Sequence, residues 1–153
     1  LCMALSSVLS LIKLWSMAMG GSVTPASMLP LLLFAYCYGV GPGMVLGALY
    51  GVMQFLLDGM AWAALGAIPN LLDYPIAFGL LGLAGFVLGC FGRFMASFLS
   101  GFIFYGQYAP EGVNPVWYSL TYNGSYMLVE CIICIALGLL VGERLAKELK
   151  KVA

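Results

Sequence analysis

The chain has 153 residues and a formal net charge of zero, with 63% hydrophobic and only 8% charged residues. A soluble domain carries roughly 25% charged residues because its surface faces water, so a mean hydropathy of +1.06 indicates a surface that faces lipid. The zero net charge gives no basis for nucleic-acid binding.

Apolar runs separated by Gly, Pro and polar clusters predict six transmembrane helices, since a helix needs about 20 residues to cross the hydrocarbon. In chain order the runs are 1–15, 25–38, 43–57, 71–91, 94–108 and 116–141. Several are shorter than that length, so they span only if tilt and polar helix ends complete them. The chain begins at Leu1 within an apolar run, which predicts a truncated first helix rather than a signal peptide. The predicted fold is a single all-α integral membrane bundle over residues 1–153.

The connections between the runs carry turn-forming residues. They are predicted at 16–24, 39–42, 58–70 and 109–115, with Gly92-Arg93 as a short turn or the first turn of the next helix. The tail 143–153 is predicted to be helical and cytoplasmic under the positive-inside rule, because it carries Arg144, Lys147, Lys150 and Lys151. Counting back six spans puts the N-terminus and Arg93 inside, and the loops 16–24, 58–70 and 109–115 outside. Lys13 disagrees, and it can snorkel to the interface.

Small residues recur four positions apart at Gly43, Gly47 and Gly51, and again at 85/89 and 138/142. This spacing lets helix backbones approach closely in lipid, either within the bundle or as a seam for a partner protein. Five cysteines are interpreted as small packed residues: Cys2, Cys37, Cys90, Cys131 and Cys134. The C-x-x-C at 131–134 is a weak metal signal because the chain has no histidine.

Two carboxylates, Asp73 and Glu130, fall inside apolar runs. A charge at the bilayer centre costs about 2.5–3.5 kcal/mol, so each needs a hydrogen-bond partner in the bundle, a water-filled cavity or a bound cation. Aromatic residues collect at the predicted outer side: Trp62, Tyr74, Tyr105, Tyr108, Trp117, Tyr118, Tyr122 and Tyr126. An interfacial belt explains some of them. Their grouping with a carboxylate also suggests a pocket for a flat organic cation, in which Asn123 could bind a heterocycle edge.

Several motifs are missing from the sequence. It contains no G-x-x-x-x-G-K-[ST] phosphate loop and no visible nucleophile–base set. It also has no convincing internal repeat of the kind that secondary transporters usually have. We therefore expect no enzymatic activity, no metal and no cofactor, and a small binding bundle driven by a separate motor.

Three stretches then carry a resemblance to a known family. They are Gly20-Gly21-Ser22-Val23-Thr24, Leu72-Asp73-Tyr74-Pro75, and Tyr108-Ala109-Pro110-Glu111-Gly112 with Tyr118-Ser119-Leu120 and Tyr122-Asn123-Gly124-Ser125-Tyr126. The chain resembles, over nearly its whole length, the ThiT family of thiamine-specific substrate-binding (S) components of energy-coupling factor (ECF) transporters. The resemblance implies a six-helix bacterial plasma-membrane protein that binds thiamine near the outer face. It also implies docking on a module of one transmembrane coupling protein and two ATPases.

The resemblance also implies roles for single residues. Asp73 looks like the carboxylate that holds the aminopyrimidine of thiamine, and Tyr105 falls where the family stacks an aromatic on the thiazolium. The other candidate pocket residues are Tyr50, Trp62, Tyr74, Ser97, Trp117, Tyr118 and Asn123. Ser97 stands where the family has a pocket histidine, which puts one stacking contact in doubt. The family's A-x-x-x-A docking pattern on the first helix is represented by Ala4 and Val8, so either the second Ala is substituted or the first precedes Leu1.

Two alternatives stay open from the sequence. The chain could be an S component for another vitamin or a thiamine precursor. It could instead be a non-transport scaffold subunit held by its glycine seams, which would bind no small molecule.

Overall fold

The computed structural model describes residues 1–17, 20–57, 66–83 and 85–152. They form six helices and one small hairpin, in the order α1 Cys2–Leu11, β1 Trp15–Ser16, β2 Ser22–Val23, α2 Leu29–Tyr38, α3 Val40–Leu57, a composite helix α4 (residues 67–82), α5 Phe86–Ile103 and α6 Pro115–Val152. A 3-10 turn, Gly106–Tyr108, lies between α5 and α6. The predicted all-α architecture is confirmed.

The distribution of polar and apolar side chains is that of a membrane protein. Helices α3, α5 and α6 are long and apolar enough to cross a bilayer, and α1 and α2 are shorter apolar helices of 10 residues each. Leu139 is 77% exposed, whereas Ser6 and Ser100 are fully buried. Large exposed apolar side chains around buried hydroxyls invert the usual arrangement of a soluble domain. The chain is therefore a multi-pass membrane protein.

Helix α4 is irregular around a proline. It consists of α-helical Ala67–Leu71, π-helical Leu72–Ile76, α-helical Ala77–Gly79 and 3-10 Leu80–Gly82. Pro75 lies in the π-helical part, where the wider turn accommodates a ring that lacks an N–H and would clash with the preceding turn of a regular helix. Asp73 and Tyr74 lie in the same turn, so the irregularity sets the direction of both side chains.

The sequence predicts one continuous helix over residues 71–91, and this prediction is wrong. Gly85 has φ = +88°, a conformation that favours glycine, and α5 begins directly after it at Phe86. The break therefore falls several residues before the Gly92-Arg93 turn that the sequence predicts.

The predicted turn at Gly92-Arg93 is also wrong, because α5 continues through both residues. A Cβ at Gly92 would lie 2.9 Å from Leu83 Cδ1 and 3.0 Å from Leu80 Cβ. The glycine therefore marks a close contact with α4 and not a chain reversal. As a result Arg93 lies in the middle of a membrane-spanning helix.

The glycine repeat of α3 packs against α4 in the same chain. A Cβ at Gly47 would lie 2.2 Å from the Phe78 carbonyl oxygen, and one at Gly51 would lie 2.4 Å from the Tyr74 carbonyl oxygen. The two backbones therefore touch along this seam, as small residues allow in membranes. The predicted packing within the bundle is confirmed at these positions.

The predicted loop 16–24 contains the hairpin. Strands β1 and β2 pair antiparallel, with Trp15 opposite Val23 and Ser16 opposite Ser22. The hairpin lies against α6, where the Gly21 N–H donates to the Tyr122 hydroxyl at 3.2 Å. A Cβ at Gly21 would come within 2.7 Å of the Tyr126 ring. The hairpin thus covers one side of the cavity described next.

Candidate ligand-binding cavity

A cavity of about 150 Å³ lies among α3, α4, α5, α6 and the hairpin. Helix α5 contributes positions 93, 97 and 101, and α6 contributes 118, 119, 122, 123, 126 and 130. Residues three or four apart share one helix face, so the cavity is lined by one face of each helix. The described lining residues contain one cation and two carboxylates, Arg93, Asp73 and Glu130.

One end of the cavity is built around Asp73. Its Oδ2 accepts a hydrogen bond from Ser100 Oγ at 2.7 Å, and its carboxylate also interacts with the Tyr105 phenol. Burial, and then the charge of Asp73, raise the pKa of the Tyr105 phenol. The Asp73 end therefore holds a carboxylate that accepts a hydrogen bond from Ser100 and lies beside the Tyr105 phenol.

Aromatic rings line the wall beside Asp73. The Tyr74 ring packs edge-on against Phe55 with centroids 5.5 Å apart. On α6, the Tyr118 and Tyr122 centroids are 6.1 Å apart, and those of Tyr122 and Tyr126 are 5.9 Å apart. Such a ladder offers flat, electron-rich surfaces to a planar cation.

Asn123 lines the cavity, but its amide is largely engaged within the protein. Its Nδ2 donates to the carbonyls of Ser119 at 3.0 Å and Ser97 at 3.3 Å, and its Oδ1 accepts from the Tyr126 hydroxyl at 3.1 Å. An amide has two donor hydrogens and two acceptor lone pairs, so one lone pair on Oδ1 is left for a ligand. Asn123 therefore joins α5 to α6 as much as it faces the cavity.

The other end of the cavity is built around Arg93. Its guanidinium carbon lies 3.9 Å from the centroid of the Phe78 ring. Phe78 in turn packs edge-on against Tyr50, with centroids 5.0 Å apart. Tyr50 donates to the Ser6 carbonyl at 3.2 Å and accepts from Gln54. This network holds a cation–π pair in place within the membrane.

Glu130 is buried beside the hairpin, at 2% exposure. Its Oε1 accepts hydrogen bonds from the hydroxyls of Thr24 and Ser27, the latter at 2.8 Å. The two donors belong to the segment between β2 and α2, so Glu130 ties that segment to α6. Glu130 therefore has the hydrogen-bond partners within the bundle that a carboxylate in an apolar run was expected to need. It also lines the cavity.

We expect Thr24→Val, which keeps the side-chain shape, to lower the free energy of unfolding by about 1.5–3 kcal/mol, the range for a hydrogen bond to a charged group. Thermal unfolding in detergent measures it. Thr121→Val is the matched control, because Thr121 is exposed and its hydroxyl, among the residues that the structure describes, bonds to carbonyls of its own helix. Equal melting temperatures for the two variants would show that the Glu130 contact contributes little.

The structure brings seven of the nine predicted pocket residues to one cavity: Tyr50, Asp73, Tyr74, Ser97, Tyr105, Tyr118 and Asn123. Trp117 is not among them, since its side chain is 62% exposed on the outside of α6. Trp62 lies outside the described residues.

Sequence reasoning missed Arg93, Gln54 and Phe78 as cavity residues, and it mentioned Glu130 only as a buried charge. Gln54 could have been found, since it is a polar residue within the apolar run 43–57. Phe78 could not, because nothing in an apolar run distinguishes a ring that faces a cavity from one that faces lipid.

An all-helical membrane bundle around a polar and aromatic cavity defines a membrane protein equipped to bind a small ligand within the bilayer. A sequence model of the family described as "Thiamine transporter protein (Thia_YuaJ)" matches residues 1–89 and 85–149 of the chain. The chain belongs to this thiamine transporter protein family, which is a family of transporters and not of enzymes.

Individual relatives agree with the family assignment. The chain is 34% identical over 145 residues to the thiamine transporter ThiT of Bacillus subtilis strain 168. This match covers 78% of this chain and 73% of the relative. It is 28% identical over 134 residues to the thiamine transporter ThiT of Lacticaseibacillus paracasei, covering 71% of this chain and 67% of the relative. A solved structure of ThiT from Listeria monocytogenes superposes with a TM-score of 0.72 at 24% identity, over 89% of this chain and 88% of that one. This last match supports the fold.

Proposed function

We propose that the chain is the thiamine-binding S component of an ECF-type importer. It binds thiamine in the cavity between Asp73 and Arg93 and delivers it by docking on a separate module of one transmembrane coupling protein and two ATPases. The proposal places the protein in the plasma membrane of a bacterium, with both termini in the cytoplasm and the Asp73 end of the cavity facing outward.

The observation that carries the proposal is the Asp73 carboxylate beside aromatic rings within a membrane bundle. Thiamine combines an aminopyrimidine, which donates hydrogen bonds, with a permanently cationic thiazolium ring. Asp73 can accept from the amino group, while the rings of Tyr74, Tyr105 and Tyr118 suit the flat cation. The names of the curated relatives support the same ligand.

The proposed docking surface lies on α1. Ala4 and Val8 are both exposed, Val8 at 60%, and they lie four positions apart on one face of the helix. A small residue followed by an apolar one leaves a shallow face that a partner helix can approach closely. The absence of a phosphate loop in the sequence supports the need for separate ATPases.

Calorimetric titration of the purified protein in detergent with thiamine tests the proposal. We expect one thiamine to bind per chain in a saturable manner. The pyrimidine moiety alone should compete for the site far more weakly than thiamine does. Binding of another B vitamin or of the pyrimidine alone, with none of thiamine, would show an S component of different specificity. The absence of binding to any B vitamin would favour the scaffold alternative.

A further inference from the structure

A second cavity, of about 210 Å³, lies at the end of the bundle where the charged tail of α6 begins. Its walls come from α1, α2, α3 and α6 and include Met3, Phe34, Leu46 and Leu149. An unfilled void forfeits the dispersion contacts of its lining, and an apolar space gives water few hydrogen-bond partners. The lining therefore favours an apolar occupant.

This cavity lies at the level of the membrane interface. The Cys37 Sγ, near the end of α2, is 3.9 Å from the Ala146 carbonyl oxygen, so the end of α2 and the tail of α6 share one level. The apolar sequence of α6 becomes charged at Glu143. Apolar surface at such a transition meets lipid acyl chains close to their headgroups.

A hydrogen-bond donor stands at the rim of this interface cavity. Tyr38 lines it, is 36% exposed, and packs its ring against Phe34 with centroids 4.6 Å apart. Its hydroxyl forms no hydrogen bond within the described part of the chain. A tyrosine with an apolar ring inside and a polar tip outside suits a boundary between acyl chains and headgroups.

A cation stands on the other side of the same rim. Lys150 directly follows the cavity residue Leu149, so it lies about 100° further round α6 and borders the side that faces the cavity. Lys151 pairs with Glu148, whereas Lys150 forms no ion pair with any residue that the structure describes. Its ammonium group is therefore available to an anion at the cavity mouth.

We propose that the interface cavity binds an anionic phospholipid, with an acyl chain among the apolar residues and the phosphate at Lys150 and the Tyr38 hydroxyl. Charge supports an anionic lipid over a zwitterionic one, because residues 143–152 carry four cations against two carboxylates. A free phosphate would leave the apolar walls uncovered. The inference is independent of thiamine binding, since no described residue lines both cavities.

Native mass spectrometry of the purified chain in detergent tests the headgroup. Phosphatidylglycerol and phosphatidylcholine with identical acyl chains are supplied in equal amounts. We expect one phosphatidylglycerol to bind about 5-fold more tightly, the effect of one lysine near an anionic lipid. Lys150→Gln should remove this preference. Lys147→Gln is the control and should keep it, because Lys147 lies two positions before Leu149, on the opposite side of the helix.

A second pair of variants tests the cavity itself. Leu149→Trp places a large side chain in the cavity and should reduce the binding of both lipids. Leu139→Trp is the control, because Leu139 is 77% exposed on the same helix and lines neither cavity. Glycerol phosphate, which has the phosphate but no acyl chain, should not displace the bound lipid.

Each contrary outcome overturns a stated part of the inference. Equal binding of the two lipids, or an equal loss of preference in both lysine variants, would show a diffuse attraction to the tail and no headgroup site. Unchanged lipid binding in Leu149→Trp would exclude an acyl chain from the cavity and leave it to a protein helix. Displacement by glycerol phosphate would show a site for free phosphate esters. The comparison of lipids in the unaltered protein decides the preference even if a variant does not fold.

Discussion

We expect Asp73→Asn to weaken thiamine binding by about 30- to 1,000-fold, equivalent to about 2–4 kcal/mol. The substitution keeps the size of the side chain but removes its charge and replaces one acceptor oxygen by a donor. In the unaltered protein the Ser100 hydroxyl donates to Asp73 Oδ2 and the Tyr105 phenol lies beside the carboxylate. In the variant one of the two acceptor oxygens becomes an N–H₂ group that cannot accept. The loss is large because the interaction lies in a partly desolvated site. Calorimetric titration with thiamine measures it.

The control for this prediction is Glu111→Gln, which makes the same chemical change at an exposed loop position. It should bind thiamine as the unaltered protein does. Both variants should also keep a similar melting temperature without ligand, because the Asn oxygen can still accept from Ser100. If Asp73→Asn bound thiamine with unchanged affinity, Asp73 would be a structural residue and the ligand would lie elsewhere.

The second large effect concerns folding. We expect Gly47→Ala to lower the free energy of unfolding by about 2–3 kcal/mol, at the upper end of overpacking costs. The added Cβ would lie 2.2 Å from the Phe78 carbonyl oxygen. That atom belongs to the backbone, so no side chain can rotate away and α3 must separate from α4. Thermal unfolding in detergent, together with the monodisperse fraction on gel filtration, measures the effect.

Gly41→Ala is the matched control on the same helix, since no atom of the described residues lies within 4 Å of a Cβ at Gly41. It should have the same melting temperature as the unaltered protein. Because Phe78 and Tyr74 line the cavity and contact this seam, Gly47→Ala should also weaken ligand binding. Equal melting temperatures for the two variants would show that α3 and α4 do not pack as tightly as described.

Apolar composition and glycine spacing were sufficient to predict much of this fold. Lipid imposes helices on any spanning segment, because backbone groups find no water partner in hydrocarbon. The small residues of α3 predicted a close helix contact, and Gly47 and Gly51 make it. Asp73 and the tyrosines were recognised as candidate pocket residues because polar groups in apolar runs are costly unless they have a function.

Arg93 shows what the sequence could not provide. Basic residues in membrane proteins are usually found near the interface, and a preceding glycine usually suggests a turn. Both arguments placed Arg93 at a helix end. Its actual position depends on Gly92 fitting against Leu80 and Leu83 and on the Phe78 ring meeting the guanidinium. Such contacts between helices leave no periodicity in the sequence of either one.

The irregular turn of α4 could not be predicted from the sequence either. The sequence shows Pro75 but does not reveal whether the chain kinks, breaks or widens there. The structure widens it into a π-helical turn that carries Asp73 and Tyr74. The two-residue strands of the hairpin are likewise too short to show the alternation by which strands are recognised.

Helix α6 is longer than one membrane crossing requires. Its 38 residues run without interruption from Pro115 to Val152, a length of about 57 Å, whereas the hydrocarbon core is about 30 Å thick. The rod that carries Tyr118, Asn123 and Glu130 therefore extends well beyond the bilayer or lies steeply inclined within it. No break in the helix separates the residues that line the cavity from the charged end. Any tilt of this helix about its cavity-lining half would displace the charged end in proportion to its distance from the pivot.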